Sequence, residues 1–406
     1  MAMTQEENGR LTQIGPGTPM GNLLRRYWHA VGAEAELIQE PVQRVRLLGE
    51  DLTLFRTERG EYGLVDDRCP HRCMSLEYGI PEQNGLRCAY HGWLFNAQGK
   101  CLEQPFEDLA HPENRYKDEI TIKHYPVEAL GGLLWAYMGP APAPLLPRWD
   151  LLVREDLDRA IEIHMLPCSW LQCMDNSADP VHFEFLHAQF GNYTLKKLAR
   201  PPAMHPARHL KIGFDLFKYG IMKRRLLEGE SEESDEWTVG HPLLFPNILG
   251  QGGHNAPTLQ IRVPRDDTHT FHIIYKTMKR KPDAPPRPIH VKRSQLYNAD
   301  GKIIADNIPV QDMVGWVGQG AISDRTREHL ATSDRGVVMY HKLLVEQMER
   351  VERGLDPMGV IRDPAENEPM IRLGRETANG PQAFKTAYDT FAKDFEAIDA
   401  MTVGED

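Results

Sequence analysis

The segment CPHRCMSLEYGIPEQNGLRCAYHGW, residues 69–93, holds three of the six cysteines of a 406-residue chain. It contains two pairs of metal-binding residue types, Cys69 with His71 and Cys88 with His91. Each pair lies where a short predicted strand meets a turn, so two β-loops would present two thiolates and two imidazoles to one centre. This donor set suits either a tetrahedral zinc ion or a [2Fe–2S] cluster with cysteines on one iron and histidines on the other.

The spacing favours the iron cluster. Cys-x-His is an unusual zinc spacing, whereas Cys-x-His followed by Cys-x-x-His on paired hairpins is typical of a Rieske cluster, and Tyr90 and Trp93 are expected to shield such a cluster from water. Structural zinc is the alternative. The remaining thiols are expected to be small buried apolar residues: Cys73, Cys101, Cys168 and Cys173.

Charge and hydropathy exclude several classes of partner. Lysine and arginine number 47 against 58 aspartates and glutamates, a net charge of −11, which argues against nucleic acid as a partner. The N-terminus lacks the apolar core of a signal peptide, and the nearly apolar run at 129–139 is too short to cross a bilayer. We therefore expect no membrane partner and a cytoplasmic location, where thiols stay reduced.

The order of predicted elements indicates an α+β protein. We predict an N-terminal helical segment over 1–41, including a helix at 21–29, and a small all-β [2Fe–2S] domain over 42–145. The Pro-rich stretch 139–149 marks the boundary. A catalytic domain over 146–406 would hold helices against an antiparallel sheet in a helix-grip arrangement, with C-terminal helices at 335–354 and 381–401.

A second constellation lies in DNSADPVHFEFLH, residues 175–187. The segment 171–190 is predicted to be helical, which puts Asn176, Asp179 and His182 on one face. His187 is five residues beyond His182, and an ideal helix would splay the two imidazoles by about 140°. Both reach one metal only if the helix distorts between them, as at a π-bulge.

Two histidines five residues apart arise readily by chance in a chain with 17 histidines. A one-electron cluster upstream makes a mononuclear iron, held by two histidines and a carboxylate, a natural electron acceptor. The carboxylate is expected from elsewhere in the chain, because Asp179 is too close in sequence to both histidines.

With these motifs the chain resembles the catalytic α subunits of Rieske non-haem iron aromatic-ring oxygenases. It is most similar to the phthalate 4,5-dioxygenase branch, which includes phenoxybenzoate oxygenases and dehydrodivanillate O-demethylases. The likeness covers nearly the whole chain. Besides the two metal motifs it includes the stretches 14–31, 245–249, 310–330 and 333–344.

The resemblance implies a role for each site residue. Cys69 and Cys88 would hold one cluster iron, and His71 and His91 the other. The mononuclear iron would be held by three residues: His182, His187 and Asp312. Asp179 would bridge His182 to a cluster histidine of a neighbouring subunit, and Asn176 would lie near the iron without ligating it, its alternative being a helix-surface amide.

The resemblance also implies a terminal oxygenase that oxidises an aromatic substrate, carboxylated or methoxylated, with O₂ and electrons from NADH. An FMN reductase with a plant-type [2Fe–2S] domain, or a ferredoxin, would supply the electrons to a head-to-tail homotrimer or a dimer of trimers. O-demethylation and ring hydroxylation remain open. The basic segment 279–294 would be either a lid supplying Arg287 or Arg293 to a substrate carboxylate or a solvated loop. A rival interpretation is a Rieske-type electron carrier without oxygen chemistry.

Overall fold

The computed structural model describes residues 3–113, 115–204, 207–252 and 256–374. They form two compact units, one comprising Arg25–Leu146 and the other comprising the described residues up to Leu24 and from Pro147 onward. The predicted helix at 381–401 lies outside the described residues. Within the described part of the chain, none of the helices has the length and apolar character of a membrane span.

The unit Arg25–Leu146 consists of three antiparallel sheets, with strand orders β1-β11-β10, β2-β3-β4-β9 and β5-β6-β7-β8. Its strands are β1 Trp28–Ala33, β2 Val42–Leu47, β3 Glu50–Arg56, β4 Tyr62–Asp66, β5 Ile80–Glu82, β6 Gly85–Arg87, β7 Leu94–Phe95, β8 Cys101–Glu103, β9 His124–Tyr125, β10 Val127–Leu130 and β11 Leu133–Tyr137. Its short helices are α3 Glu34–Gln39, α4 Pro105–Ala110, α5 Tyr116–Glu119 and a 3₁₀ turn at Leu76–Tyr78. The predicted all-β character is confirmed.

The predicted helix at 21–29 is wrong beyond Leu24. Helix α2 spans only Pro19–Leu24, and Trp28 begins strand β1, which pairs with β11. All six residues of β1 are buried, so pairing and packing override the local helical pattern.

The second unit is built on one eight-stranded sheet of order β13-β14-β15-β16-β17-β18-β12-β19. Its strands are β12 Leu157–Leu166, β13 His209–Phe217, β14 Gly220–Leu227, β15 His241–Leu244, β16 Ile248–Gln251, β17 Thr258–Asp266, β18 His269–Lys279 and β19 His290–Ser294. Neighbouring strands are antiparallel except β12 and β19, which are parallel. The predicted α+β class with an antiparallel-rich sheet is confirmed.

Helices of this unit carry several of the candidate site residues. They are α1 Gln5–Thr12, α2, α6 Asp150–Val153, α7 Trp170–Ala178, a π-helix at Phe183–Phe190, α8 Gly191–Lys197, α9 Asp235–Thr238, α10 Ile308–Val317 and α11 Arg335–Glu352, with 3₁₀ turns at Arg325–Arg327, Thr332–Asp334 and Pro364–Glu366. The α10 helix packs through Met313 and Trp316 onto a core that includes Cys168 and Cys173. The helix predicted at 335–354 corresponds to α11.

The continuous helix predicted over 171–190 is wrong, because the chain breaks between α7 and the π-helix. Asp179 is in an extended conformation, with φ −99° and ψ 116°, directly before Pro180. Proline disfavours the helical conformation of the residue that precedes it, so the break is encoded locally. The helical spacing that placed Asn176, Asp179 and His182 on one face does not apply across this break.

Candidate functional site

The loops that carry the two Cys/His pairs have the same backbone geometry. In the first loop Cys69 N–H donates to Met74 O at 2.9 Å and Cys73 N–H donates to Cys69 O at 2.9 Å. In the second loop Cys88 N–H donates to the carbonyl of Trp93 at 2.8 Å, and Gly92 N–H donates to Cys88 O at 3.0 Å. Two copies of one loop therefore present the two pairs.

The equivalence of the loops explains Cys73. Its φ is +56°, and Gly92, at the matching position of the second loop, has φ +76°. The side chain of Cys73 is exposed, so the expectation that it is buried is wrong. The expectation of burial holds for Cys101, Cys168 and Cys173, all free and buried.

The four candidate cluster residues divide by burial. Cys69 and Cys88 are 1% and 2% exposed, while His71 and His91 are exposed on the surface of the unit. Burial, with the neighbouring Cys88 sulfur adding to it, raises the pKa of the Cys69 thiol to about 12. A buried thiolate pair therefore requires bound cations, which is the environment that a metal cluster supplies.

The two imidazoles are packed by aromatic rings. Their ring centroids lie 4.4 Å apart, and Trp93 stacks on His71 at 4.6 Å with an interplanar angle of 5°. Trp93 is buried, whereas Tyr90 packs on His91 at 3.9 Å but is 53% exposed. The apolar shielding expected of both residues is therefore provided mainly by Trp93.

The separation of the donor atoms bears on the choice between one ion and two. In a tetrahedral zinc site, bonds of about 2.0–2.3 Å hold all donor atoms within about 4 Å of one another. Among the described residues, just one group of three His, Cys, Asp or Glu donor atoms lies mutually within 4.8 Å, and it lies in the other unit. The two loops thus lack the convergence that a single zinc ion needs, and their donor set fits a two-iron cluster.

The group that does converge consists of His182, His187 and Asp312. Asp312 Oδ1 lies 3.5 Å from His182 Nε2 and 3.1 Å from His187 Nε2. The π-helix accounts for the histidine pair, because its i→i+5 turn returns residues five apart to one face. The helix distortion that the sequence required is therefore present.

Gln311, which sequence reasoning missed, fixes the orientation of His187. Its Nε2 donates to Ala305 O at 3.3 Å, so its Oε1, 2.9 Å from His187 Nδ1, accepts the ring proton. A Cβ on Gly191 would lie 2.6 Å from the Gln311 amide nitrogen, so a larger residue there would displace the Gln311 amide. The lone pair of His187 Nε2 is thereby directed toward Asp312.

These facing atoms lack hydrogen-bond partners. His187 Nε2 and Asp312 Oδ1 are both buried and unpaired within the described part of the chain. A lone pair and a carboxylate oxygen 3.1 Å apart repel each other unless a cation lies between them. The trio therefore fits a metal ion, and two histidines with one carboxylate suit non-haem iron.

The electrostatics at His182 agree with this arrangement. Its Nδ1 lies 3.5 Å from Asp179 Oδ2, and the carboxylates of Asp179 and Asp312 outweigh burial and raise the pKa of His182. Burial alone would raise the pKa of Asp312, but the adjacent imidazoles of His187 and His182 hold it well below its usual range. A carboxylate behind a ligating histidine is a common way to fix the ring and increase its basicity.

Asn176 lies in the last turn of α7 and is half-buried; its carbonyl accepts the N–H of Asp179 at 3.1 Å. Asp179 itself is held by its Oδ1, which accepts Val181 N–H at 2.7 Å. The carboxylate is thus fixed beside His182 by the chain break and not by helical periodicity.

A cavity of about 240 Å³ adjoins the site, and His187 and Gln311 form part of its wall. Four polar residues of the sheet face it: Glu162, His164, Lys276 and Lys292. The other lining residues come from the helices and loops opposite: Gly191, Leu195, Ala203, Met204, Asp306, Asn307, Ile308, Pro309 and Val310. This mixture suits an aromatic ligand with polar substituents.

The basic segment 279–294 contributes to this wall differently from the expectation. Arg287 pairs with Asp158 at 3.5 Å, and Arg293 lies over the ring of Phe271 at 5.8 Å. Residues 290–294 form the edge strand β19, and Lys292 is the residue of this segment that lines the cavity.

Comparisons with known proteins give two family matches and several related oxygenase subunits. The Rieske [2Fe-2S] domain family matches residues 27–125, and the family described as LigXa C-terminal domain like matches residues 293–371. The chain is 46% identical over 369 residues to the 5,5'-dehydrodivanillate O-demethylase oxygenase subunit of Sphingobium sp. (strain NBRC 103272 / SYK-6), covering 90% of this chain and 85% of the relative. It is 34% identical over 392 residues to the phenoxybenzoate dioxygenase subunit alpha of Ectopseudomonas oleovorans, covering 90% of each chain.

A solved structure shares the fold. The oxygenase of carbazole 1,9a-dioxygenase, solved in complex with its ferredoxin, superposes with a TM-score of 0.56 at 17% identity, covering 91% of this chain and 99% of that one.

Proposed function

The chain belongs to the Rieske non-haem iron oxygenases, and from that premise we propose that it is the terminal oxygenase that demethylates a methoxylated aromatic acid. The observation that carries the oxygenase assignment is the convergence of His182, His187 and Asp312 beside a cavity. An electron carrier has no use for such a trio, and the relatives are oxygenase subunits, so that alternative is not retained. Ring hydroxylation is the second outcome that the same site allows.

The family carries a Rieske [2Fe–2S] cluster and a mononuclear iron. We propose that Cys69, His71, Cys88 and His91 hold the cluster, and that the iron is held by a further three residues: His182, His187 and Asp312. When bound, the two groups supply one-electron storage and a site where dioxygen is reduced.

The protein's own contribution is orientation and charge. Gln311 keeps the proton of His187 on Nδ1, so that Nε2 faces Asp312. We propose that Asp179, whose Oδ2 lies 3.5 Å from Nδ1 of His182, holds a proton on that nitrogen. The apolar side of the cavity excludes water from the substrate ring, and its polar side sets which ring substituent faces His187.

Relatives of this kind are components of multicomponent systems, so electrons come from another chain. We propose a ferredoxin or an FMN reductase with a plant-type [2Fe–2S] domain as the donor. We further propose a head-to-tail trimer, alone or as a dimer of trimers, in which Asp179 of one chain meets a cluster histidine of the next. The exposure of His71 and His91 supports this, since either ring is accessible to another chain.

We propose an N-terminal helical segment over 1–41, a [2Fe–2S] domain over 42–145 and a catalytic domain over 146–406; the compact unit Arg25–Leu146 supports the boundary near residue 146. We propose the cytoplasm as the compartment, because the cluster cysteines must stay reduced until they bind iron.

The test of the function is product analysis with the holoenzyme, a ferredoxin–reductase pair and a panel of aromatic acids and aryl methyl ethers. Demethylation consumes one O₂ and one NADH with one proton, and it yields one phenol, one formaldehyde, one water and one NAD⁺. We expect formaldehyde and phenol in equal amounts from a methoxylated acid. Hydroxylated product without formaldehyde would favour the second outcome, and NADH oxidation with no product from any member would contradict the proposal.

A change at Gln311 tests the orientation of His187. Gln311→Leu removes the acceptor of the Nδ1 proton, and we expect iron affinity at the mononuclear site to fall by about 10- to 100-fold, as for other residues that orient a ligand. Titration of the metal-free protein with Fe(II) measures this. Gln319→Leu, an exposed glutamine just beyond the same helix, is the control and should bind iron normally. Unchanged affinity in Gln311→Leu would remove Gln311 from this role.

A further inference from the structure

The π-helix Phe183–Phe190 depends on contacts outside itself. A π-turn is rare and occurs mostly as a single turn within an α-helix, frequently at a functional site. Between Pro180 and Gly191 the sequence contains no glycine or proline that would force the wider turn. The turn is nevertheless required here, because an ideal α-helix would splay His182 and His187 by about 140°. Side-chain contacts with the rest of the fold are therefore needed to hold it.

Glu184 fastens the π-helix to strand β13. Its Oε1 accepts the backbone N–H of His209 at 2.5 Å and lies 2.9 Å from His209 Nδ1. Because a carboxylate only accepts, the ring proton of His209 is on Nδ1. The side chains of Glu184 and His209 are 18% and 3% exposed, so both bonds are shielded from water. Nε2 of the same ring has no partner in the part of the chain that the structure describes, so the ring is held there through Glu184.

Phe183 packs against both histidines of the iron site. Its ring centroid lies 5.1 Å from that of His182 and 4.4 Å from that of His187, and the two imidazole centroids are 5.2 Å apart. The guanidinium of Arg225 lies 4.5 Å from the centroid of the Phe183 ring, and Glu236 fixes Arg225 through a 2.5 Å ion pair. The side chains of this ion pair are 2% and 1% exposed, so little water weakens the cation–π contact. The Phe183 ring is therefore held from β14 while it packs on the two imidazoles.

The two anchors lie side by side on the sheet. His209 and Leu227 are register partners in the β13–β14 ladder, and Arg225 lies two residues before Leu227, on the same face of β14. Phe183 also packs against a small core that includes Leu227. Consecutive residues of the π-helix thus contact two paired strands at one place, Phe183 through β14 and Glu184 through β13. Contacts at two adjacent points fix the rotation of a turn as well as its position.

We propose that Phe183 and Glu184 are positioning residues for the mononuclear iron site. Glu184 fixes the turn against β13, and Phe183 sets the angle between the two imidazoles, so that both reach one ion. This inference rests on the proposed function, because it takes His182 and His187 to bind the iron. Neither positioning residue is a ligand. Loss of either contact lets the segment relax toward the narrower α-helical turn, which directs one histidine away from the ion.

The test measures iron binding and site geometry without turnover. The cluster-loaded protein is stripped of its mononuclear iron with a chelator and titrated anaerobically with Fe(II). Nitric oxide is then added as a probe, and electron paramagnetic resonance of the iron–nitrosyl signal reports whether one ligand arrangement or several are present. We expect a single arrangement in the parent protein.

Glu184→Leu removes both bonds to His209, and we expect Fe(II) affinity to fall by about 10- to 100-fold, as for other residues that orient a ligand. Its nitrosyl signal should split into more than one component, while the visible spectrum of the Rieske cluster stays unchanged. Glu184→Gln keeps an oxygen acceptor and should bind Fe(II) within about threefold of the parent. A merely structural glutamate would lower the melting temperature of Glu184→Leu and leave its Fe(II) affinity and signal unchanged.

Phe183→Leu removes the ring that packs on the imidazoles, and we expect Fe(II) affinity to fall by at least about fivefold. Because both residues hold one turn, the double variant should bind Fe(II) about as weakly as Glu184→Leu alone. Phe185→Leu, at a position 59% exposed in the same helix, is the control and should bind iron normally. Losses that multiply in the double variant would show that the two residues do not act on one turn.

His209→Leu keeps the test decisive if Glu184→Leu does not fold. It removes the ring bond and the unpartnered Nε2 but keeps the backbone N–H that Glu184 accepts. We therefore expect a melting temperature near that of the parent, with Fe(II) bound at least about threefold more weakly. Unchanged affinity in His209→Leu and in every folded variant of Glu184 and Phe183, with a parent that binds Fe(II), would refute this inference alone. A parent that binds no iron beyond its cluster would refute the proposed function.

Discussion

Replacing Asp312 by alanine is expected to abolish product formation while the visible spectrum of the Rieske cluster stays unchanged. Asp312 Oδ1 contacts both histidines, at 3.1 Å from His187 Nε2 and 3.5 Å from His182 Nε2. Without it the site retains two neutral imidazoles and no negative charge to balance a divalent ion. We expect turnover to fall by more than about a thousandfold, because the variant loses the iron and not merely its orientation.

Three measurements on the Asp312→Ala protein separate loss of the ion from loss of the fold. Iron analysis should give two irons per chain where the parent gives three, with two acid-labile sulfides in both, and the melting profile should remain cooperative. Asp300→Ala removes an exposed carboxylate near α10 in sequence and should retain both iron types and full activity. Three irons per chain in Asp312→Ala, or substantial turnover, would show that Asp312 is not a ligand.

The local part of the proposed sites was predictable from the sequence, because each Cys/His pair lies within one short loop. The spacing favoured a Rieske cluster at the two Cys/His pairs, and it required a distortion between His182 and His187, since a five-residue separation fits a π-helix and not an α-helix. Asp312, by contrast, is brought to the histidines by long-range packing of α10. Its assignment therefore came from resemblance, and only the folded chain brings the three donors together.

The residues that sequence reasoning missed share one property: their neighbours in space are remote in the chain. Gln311 contacts His187 across 124 positions, and the only local signal was a glutamine beside an aspartate in an otherwise apolar helix. Glu162 and His164 alternate with isoleucines, a pattern typical of a strand with one solvated face. The structure buries that face, which no property of the strand itself indicates.

Two of the wrong predictions, the continuous helix over 171–190 and the burial of Cys73, have local causes. Pro180 disfavours the helical conformation of Asp179, the residue before it. A continuous helix through this position was therefore unfavourable from the sequence itself. Cys73 was expected to be buried on the base rate for free cysteines. Its position in the loop instead matches Gly92, with φ positive at both, so the backbone and not the side chain determines its environment.

Asp179→Asn is expected to leave both metal sites loaded while slowing electron transfer between them by more than about a hundredfold. The substitution preserves size and the backbone contact with Val181, and it removes the charge beside His182 Nδ1. The pKa of His182 is raised by Asp179 and Asp312, so removing one of these carboxylates weakens the hold on the ring proton and lowers the basicity of the ligand. In the proposed trimer the same change deletes the charged bridge to the neighbouring chain.

The measurement is a single turnover with pre-reduced enzyme, following cluster oxidation after substrate and O₂ are mixed. Asp215→Asn makes the same chemical change at an exposed position paired with Arg224 and should react at the parent rate. If Asp179→Asn oxidised its cluster at the parent rate, the bridge would have no role. If instead it lost mononuclear iron, Asp179 would act on the ligand set itself. Only a slow reaction with full iron content places this carboxylate between the two centres, because charge at Asp179 then matters to the electron and not to the metal.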